Sequence, residues 1–274
     1  MKNALTVDLE DWYHICDVEG CSDPRNWDSY ESRVIRNTEK VLTLLRRYKT
    51  KATFFVLGYI ASREPELILE IKSEGHEIAT HGFYHRRIFE LTDQEFGDDV
   101  ARSVDVISSI TNERVIGFRA PEWSIRKVTP WALGTLRKLG IIYDSSMVPL
   151  TGMGERDFPF YPCIFNTEYG EIWEFPLTTT RFFRENLPFS GGLPLRMFPY
   201  FYVISKLNRI NREKRPAMVY IHPWEFDMEQ PEIDLPLSRK FMHYFNIKAT
   251  PGKIEGLLRH LSFAPIREVL GLNG

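Results

Sequence analysis

The sequence predicts an α/β protein in which parallel strands alternate with helices packed outside them. Three observations carry this. Apolar runs of strand length alternate with segments whose apolar residues recur at helical spacing. Polar residues able to do chemistry sit where those runs end: Asp8, Glu10 and Asp11, then His81 and His85, Arg119, Asp144 and His222. The 274 residues, 43% of them hydrophobic, suffice for one large core. A barrel and a doubly wound sheet both fit, and both gather functional residues at strand ends.

In chain order, "NALTVDL" is a short apolar strand. "RVIRNTEKVLTLLRRYKT" places Val34, Val41, Leu42, Leu45 and Tyr48 on one helical face. "KATFFVLG" is a buried strand closed by glycine. "EPELILEIKSEG" is a helix with Pro65 early and Gly75 at its end, and "HEIATHG" a short strand. Thr92 with Glu95 forms a capping box that opens the helix of "LTDQEFGDDVARSVDVISSIT". "RVIGFRAP" and "IIYDSS" are strands flanking the helix of "TPWALGTLRKLG". "AMVYIHP" is a later strand and "TPGKIEGLLRHLSF" a late helix. Between them, about 150–215 is rich in proline, glycine and aromatics, with a short strand expected in "GEIWEFPL". This segment reads as an insertion within a single domain of 1–274, either a binding rim or lid, or a completion of the core.

The net charge of −2 and pI near 6.4 offer no basic surface for nucleic acid and no acidic tail. No apolar run is long enough to span a membrane. Met1 to Val7 reads as a strand and not as the apolar core of a signal peptide, so a cytoplasmic location is expected. Cys16, Cys21 and Cys163, without a CxxC pair, fit free thiols in a reducing compartment. No Walker loop, dinucleotide fingerprint or GxSxG elbow is present.

"THGFYH" sets His81 and His85 four apart, a spacing that a helix or a tight loop can turn to one side. Two histidines and a carboxylate form a donor set for a catalytic divalent metal with an open coordination position. The crowded acids of "VDLEDW" gain a purpose beside such an ion, which favours their ionised forms. One acid binds it and another takes a proton from bound water. Arg119 in "FRAPEW" either pairs with a carboxylate or is solvated. His222 in "YIHPWE" is either a proton donor or a core histidine. Asp144 either orients His222 or caps a turn.

The order of acidic cluster, HxxxH, RxP, later Asp and late His resembles the polysaccharide deacetylase (NodB-homology) family, carbohydrate esterase family 4, and "GHEIATHGFYHRRIFELT" is similar to its histidine motif. The resemblance implies a distorted (β/α)7 barrel that removes N-acetyl groups from sugars with a divalent metal, commonly Zn2+. It implies Asp8 as base, His81 and His85 as metal ligands, Arg119 as orienter of the base and His222 as general acid. The family's usual pair of adjacent aspartates is absent: leucine follows Asp8, then come Glu10 and Asp11. A DxD spacing in a sister branch favours Glu10 as ligand, while Asp11 keeps the usual residue type. "RAPEWSI", "YDSSMVP", "EFPLTTTRF", "PFSGGLPLRMFPY" and "YIHPWEFD" further resemble a subgroup tied to bacterial exopolysaccharide loci, including exosortase-associated ones.

The expected function is metal-dependent deacetylation of an N-acetylated sugar in a surface polysaccharide or its lipid-linked precursor. Pro121, Trp123, Trp224 and aromatics of 158–202 are expected to line the sugar groove. The alternatives are a cyclic-amide or ureide hydrolase with the same site, and a non-catalytic carbohydrate-binding protein. The expected partner is a sugar or oligosaccharide; assembly into a homo-oligomer stays open.

Overall fold

Lys2–Leu9 (β1) buries every residue after Lys2, the pattern of a strand covered on both faces. The computed structural model describes residues 1–183 and 185–272. In it β1 is followed by Thr53–Val56 (β2), Glu77–Thr80 (β3), Gly117–Phe118 (β4), Tyr143–Asp144 (β5), Cys163–Thr167 (β6) and Gly170–Glu174 (β7). Thr179–Phe182 (β8) and Glu185–Pro188 (β9) form a separate hairpin. Met218–Ile221 (β10) and Ser262–Ala264 (β11) complete the strands, β11 pairing with the start of β1.

The sheet runs β10-β1-β2-β3-β4-β5-β7-β6, parallel from β10 to β7 and antiparallel only at β6. Seven parallel strands thus follow one another around the expected barrel. Among the described residues no ladder joins β7 to β10. Single bonds span that gap: Met218 N–H to Thr178 Oγ1 (2.7 Å) and Tyr220 N–H to the Ser190 carbonyl (3.2 Å). This seam is the distortion.

The two faces of β1 explain its mixed composition. Leu5, Val7 and Leu9 pack in the outer layer with Val34, Val41, Leu42 and Leu45 of Val34–Arg47 (α1), the stripe read from the sequence. Ala4 faces the barrel interior with Phe55, Tyr143, Phe175 and Tyr220. Thr6 and Asp8 share that side, where both accept hydrogen bonds from Arg119. Gly117 is required by this interior, since a Cβ there would sit 2.1 Å from the Tyr143 ring. The helix Asp93–Thr111 (α2) starts at the predicted Thr92–Glu95 capping box. Within 150–215, β7 joins the sheet as a parallel strand beside β5. No helix among the described residues is long and apolar enough to cross a membrane.

Asp144 does not meet His222. It lies on β5 directly opposite Glu174 of β7, both fully buried. Burial raises Asp144 to about 6, against bonds from Glu174 and Ser146. Burial and the Asp144 charge push Glu174 well above the carboxylate range. Both folded values lie above their unfolded ones, so the stability these carboxyls contribute is present at low pH and is lost as pH rises through about 6. Wild type is expected to melt at lower temperature at pH 8 than at pH 5. Glu174→Gln, which supplies the missing N–H permanently, is expected to flatten that difference in calorimetry. An unchanged pH slope in the variant would remove the pair from the account.

Candidate metal centre and active site

Strand register brings the predicted residues to one rim. Leu9 lies beside Val56, Val56 beside Thr80, Thr80 beside Phe118, and Val7 beside Ile221. One step beyond these positions stand Glu10, His81, Arg119 and His222.

Glu10 Oε1 lies 3.0 Å from both His81 Nε2 and His85 Nε2, and the three donor atoms fall within 4.8 Å of one another, all buried. Each imidazole is oriented from behind. His81 Nδ1–H donates to the Arg119 carbonyl at 2.8 Å, which turns Nε2 toward Glu10. His85 Nδ1 faces Cys16 Sγ at 3.6 Å, and the same thiol lies 3.3 Å from the His85 carbonyl. The HxxxH segment is a loop, not a helix. Gly82 turns it at φ +76°, and His85 itself sits at φ +52°. Asp99 of α2 holds this loop, accepting from Phe83 N–H (2.6 Å) and Tyr84 N–H (3.3 Å). A Cβ on Gly82 would meet Asp99 Oδ2 at 2.8 Å. Burial would neutralise Glu10, but the His85 and His222 charges and the bonds from His81 and His85 outweigh it and keep the carboxyl well below its usual range. A buried carboxylate and two imidazole nitrogens converging on one point fit a divalent ion, which would take the place of the protons between them. Asp8, Glu10 and His222 also approach within 4.8 Å, but Asp8 is already committed to Arg119.

Arg119 is fully buried beneath the rim. Its Nη1 donates to Asp8 Oδ1 at 2.6 Å and to Thr6 Oγ1 at 2.9 Å, its Nε to the Ser145 carbonyl at 3.1 Å and its Nη2 to Ser145 Oγ at 3.0 Å. The guanidinium lies over Phe55 and Trp123, 4.0 and 4.6 Å from the ring centroids. Asp8 Oδ2 remains, 3.8 Å from His222 Nε2, too far for a direct hydrogen bond.

The residue that orients His222 is Glu225. Its Oε1 accepts from His222 Nδ1 at 2.9 Å and from the His222 N–H at 3.2 Å. Arg196 backs Glu225 at 3.3 Å, both buried. Burial pulls the His222 imidazole down, but Glu10, Glu225 and Asp8 outweigh it and raise its pKa. His222 stacks on Trp224, and Trp224 on His243.

Asp11 is not part of the metal cluster. Its carboxylate accepts from Trp12 N–H (2.9 Å), Ser32 Oγ (2.8 Å), Arg33 N–H (2.7 Å) and Val34 N–H (3.1 Å), and so ties down the start of α1. Of the two acids left open by the sequence, only Glu10 reaches the histidines.

A cleft of about 530 Å³ opens above the rim, lined among others by Asp8, Glu10, His81, His85, His222 and Trp224. Trp123 lines it too, whereas Pro121 is buried in the turn behind. Among the described residues, the expected aromatics of 158–202 do not line it; from that stretch come Gly192, Leu193 and Arg196. Sequence reasoning also missed His14. Its Nδ1 accepts the Asp11 N–H at 2.9 Å, burial with the His85 charge lowers its pKa to about 3, and the neutral ring therefore carries its proton on Nε2. That nitrogen is buried without a partner among the described residues, and the ring lines the same cleft.

Residues 28–141 match the family model described as polysaccharide deacetylase. The similarity to polysaccharide deacetylases covers that stretch, from before α1 to just before β5. Residues 145–271 match a family described as a domain of unknown function (DUF3473). A peptidoglycan deacetylase from Helicobacter pylori is 29% identical over 135 residues, 49% of this chain and 41% of the relative. A peptidoglycan-N-acetylglucosamine deacetylase from Bacillus cereus is 34% identical over 84 residues, 31% of this chain and 39% of the relative. The chain thus spans about two fifths of the length of these curated relatives. The crystal structure of a provisionally named polysaccharide deacetylase from Mycobacterium smegmatis superimposes with a TM-score of 0.66 at 19% identity, covering 99% of this chain and 89% of that one. At that identity the likeness speaks to the fold, which is the deacetylase barrel.

Proposed function

We propose that this protein is a metal-dependent N-deacetylase acting on an N-acetylated sugar of a bacterial surface polysaccharide or its lipid-linked precursor. The observation that carries the reading is the joint placement of Glu10 Oε1, His81 Nε2 and His85 Nε2 around one point, with Asp8 and His222 facing each other beside it at 3.8 Å. Oxygen-plus-imidazole donors favour zinc among divalent ions. Bound there, the ion supplies a Lewis acid for the acetyl carbonyl and lowers the pKa of its water.

The chain's own groups do the rest. Asp8 uses its free Oδ2 to take a proton from the attacking water, while Arg119 fixes the carboxylate through Oδ1. His222, protonated and held by Glu225, gives a proton from Nε2 to the departing amine. Asp8 and His222 both open onto the cleft by which the acetamido group enters. Trp123 and Trp224 offer aromatic faces to the sugar ring.

The test is acetate release from N-acetylglucosamine oligomers by purified protein, before and after chelation and after zinc addition, with allantoin as a ring-amide control. Acetate release that falls with chelation and returns with zinc is expected. Hydrolysis of allantoin alone would overturn the sugar reading, and absence of both activities after zinc addition would overturn the enzyme reading.

A further inference from the structure

Four guanidiniums line the cleft: Arg87, Arg126, Arg196 and Arg239. Three are accounted for. Arg196 is buried against Glu225 and donates to the carbonyls of Met242, His243 and Phe245. Arg87 pairs with Asp17, with Glu90 at 2.6 Å and with Glu122 at 3.6 Å. Arg239 pairs with Asp17 at 3.3 Å and donates to the Cys16 and Asp17 carbonyls.

Arg126 stands apart. It is half-buried, yet it makes no ion pair within 4.0 Å among the described residues. Its Nη1 is anchored to its own turn, on the carbonyls of Trp123 and of Ile125 (3.0 Å). Burial lowers its pKa, as does the charge of Arg87, and the neighbouring Glu155 and Glu122 only partly compensate. The turn that delivers it is strained: Glu122 and Trp123 are consecutive non-glycine residues at φ +50° and +54°. The same turn places Trp123 against Arg119, the residue that fixes Asp8. Arg126 and Arg87 both lie over Phe89, at 5.5 and 5.3 Å, so their charges share one wall. A half-buried cation with carboxylates near it but none in direct contact among the described residues is costly inside a binding cleft unless a ligand supplies a closer anion.

We propose that Arg126 forms an anion subsite, and that the glycan bound in this cleft carries a carboxylate or phosphate close to the N-acetyl sugar. This rests on the deacetylase reading for the neighbouring sugar, but not for the anion itself. The planar fork of arginine suits either oxyanion. A uronate in the polymer and a phosphate linking a sugar to its carrier are the two sources.

The experiment compares wild type, Arg126→Gln and Arg126→Lys in two ways. Calorimetric titration with glucuronate and with inorganic phosphate measures anion binding without turnover. Kinetics on N-acetylglucosamine trimer, a hyaluronan oligosaccharide and UDP-N-acetylglucosamine measure its use. Arg126→Gln is expected to weaken binding of at least one anion and raise KM for the matching substrate about tenfold, with kcat and the neutral trimer unaffected and Arg126→Lys in between. The responding arm, carboxylate or phosphate, identifies the source. Equal shifts for neutral and acidic substrates, or anion binding indifferent to the substitution, would overturn the subsite while leaving deacetylation intact. Anion binding lost in Arg126→Gln, with no acetate released from any substrate, would keep the subsite and overturn the deacetylase reading.

Discussion

The His81→Ala/His85→Ala variant is expected to lose its metal and its acetate release together, while Asp11→Asn keeps both. Both histidines present Nε2 to Glu10 from positions fixed by other groups, so neither can be replaced by a neighbour. Removal of an outer-shell partner alone can cost 10- to about 100-fold in metal affinity or activity, and loss of two direct donors should exceed that. Asp11 tells the two acids apart. Both its oxygens accept hydrogen bonds near the start of α1, so the amide of Asn leaves a donor unpaired and should lower stability by about 1–3 kcal/mol without changing metal content. Elemental analysis and a denaturation curve on each variant decide the matter. Metal lost in Asp11→Asn at unchanged stability, or metal retained in the double histidine variant, would show that the ion lies elsewhere.

Much of this site was legible because a parallel barrel turns a one-dimensional signal, polar residues just after apolar runs, into a shared rim. The choice between Glu10 and Asp11 stayed open in the sequence, where residue type and spacing pointed different ways. Side chains alternate along a strand, so Asp8 and Glu10, two apart, fall on the same side, while Asp11 turns outward to α1. Glu225 left a local trace, an acid three residues after His222 in "YIHPWE". Other features had none. Asp144 meets Glu174 only through the pairing of β5 with β7, across thirty positions of sequence that reveal no register. The loop shape that aims His85 depends on Asp99, which reads in sequence as one more acid in an amphipathic helix. Aromatic richness in 158–202 suggested sugar contacts, but composition does not say which side of a strand or helix faces the cleft. Phe175 and Phe189 went to the core instead.

Asp8→Asn and His222→Gln are each expected to lower kcat/KM by about 10²–10⁴, with metal content unchanged, because each removes one end of the proton path and neither belongs to the Glu10, His81, His85 trio. Glu225→Gln separates a proton-transfer role for His222 from a packing role. If His222 works as an acid, activity falls as pH rises through its pKa. That pKa is pulled down by burial but held up by the charges of Glu10, Glu225 and Asp8. Taking the Glu225 charge away removes one support, so the falling limb of the pH–rate profile should move to lower pH. Bound metal would weaken the contribution of Glu10, yet it leaves Glu225 in place at 2.9 Å from Nδ1. The substitution also leaves Arg196 buried opposite a neutral amide, so folding must be checked alongside. A folded Glu225→Gln enzyme whose alkaline limb does not move, or moves upward, would mean that His222 positions the substrate and the amine takes its proton from another donor.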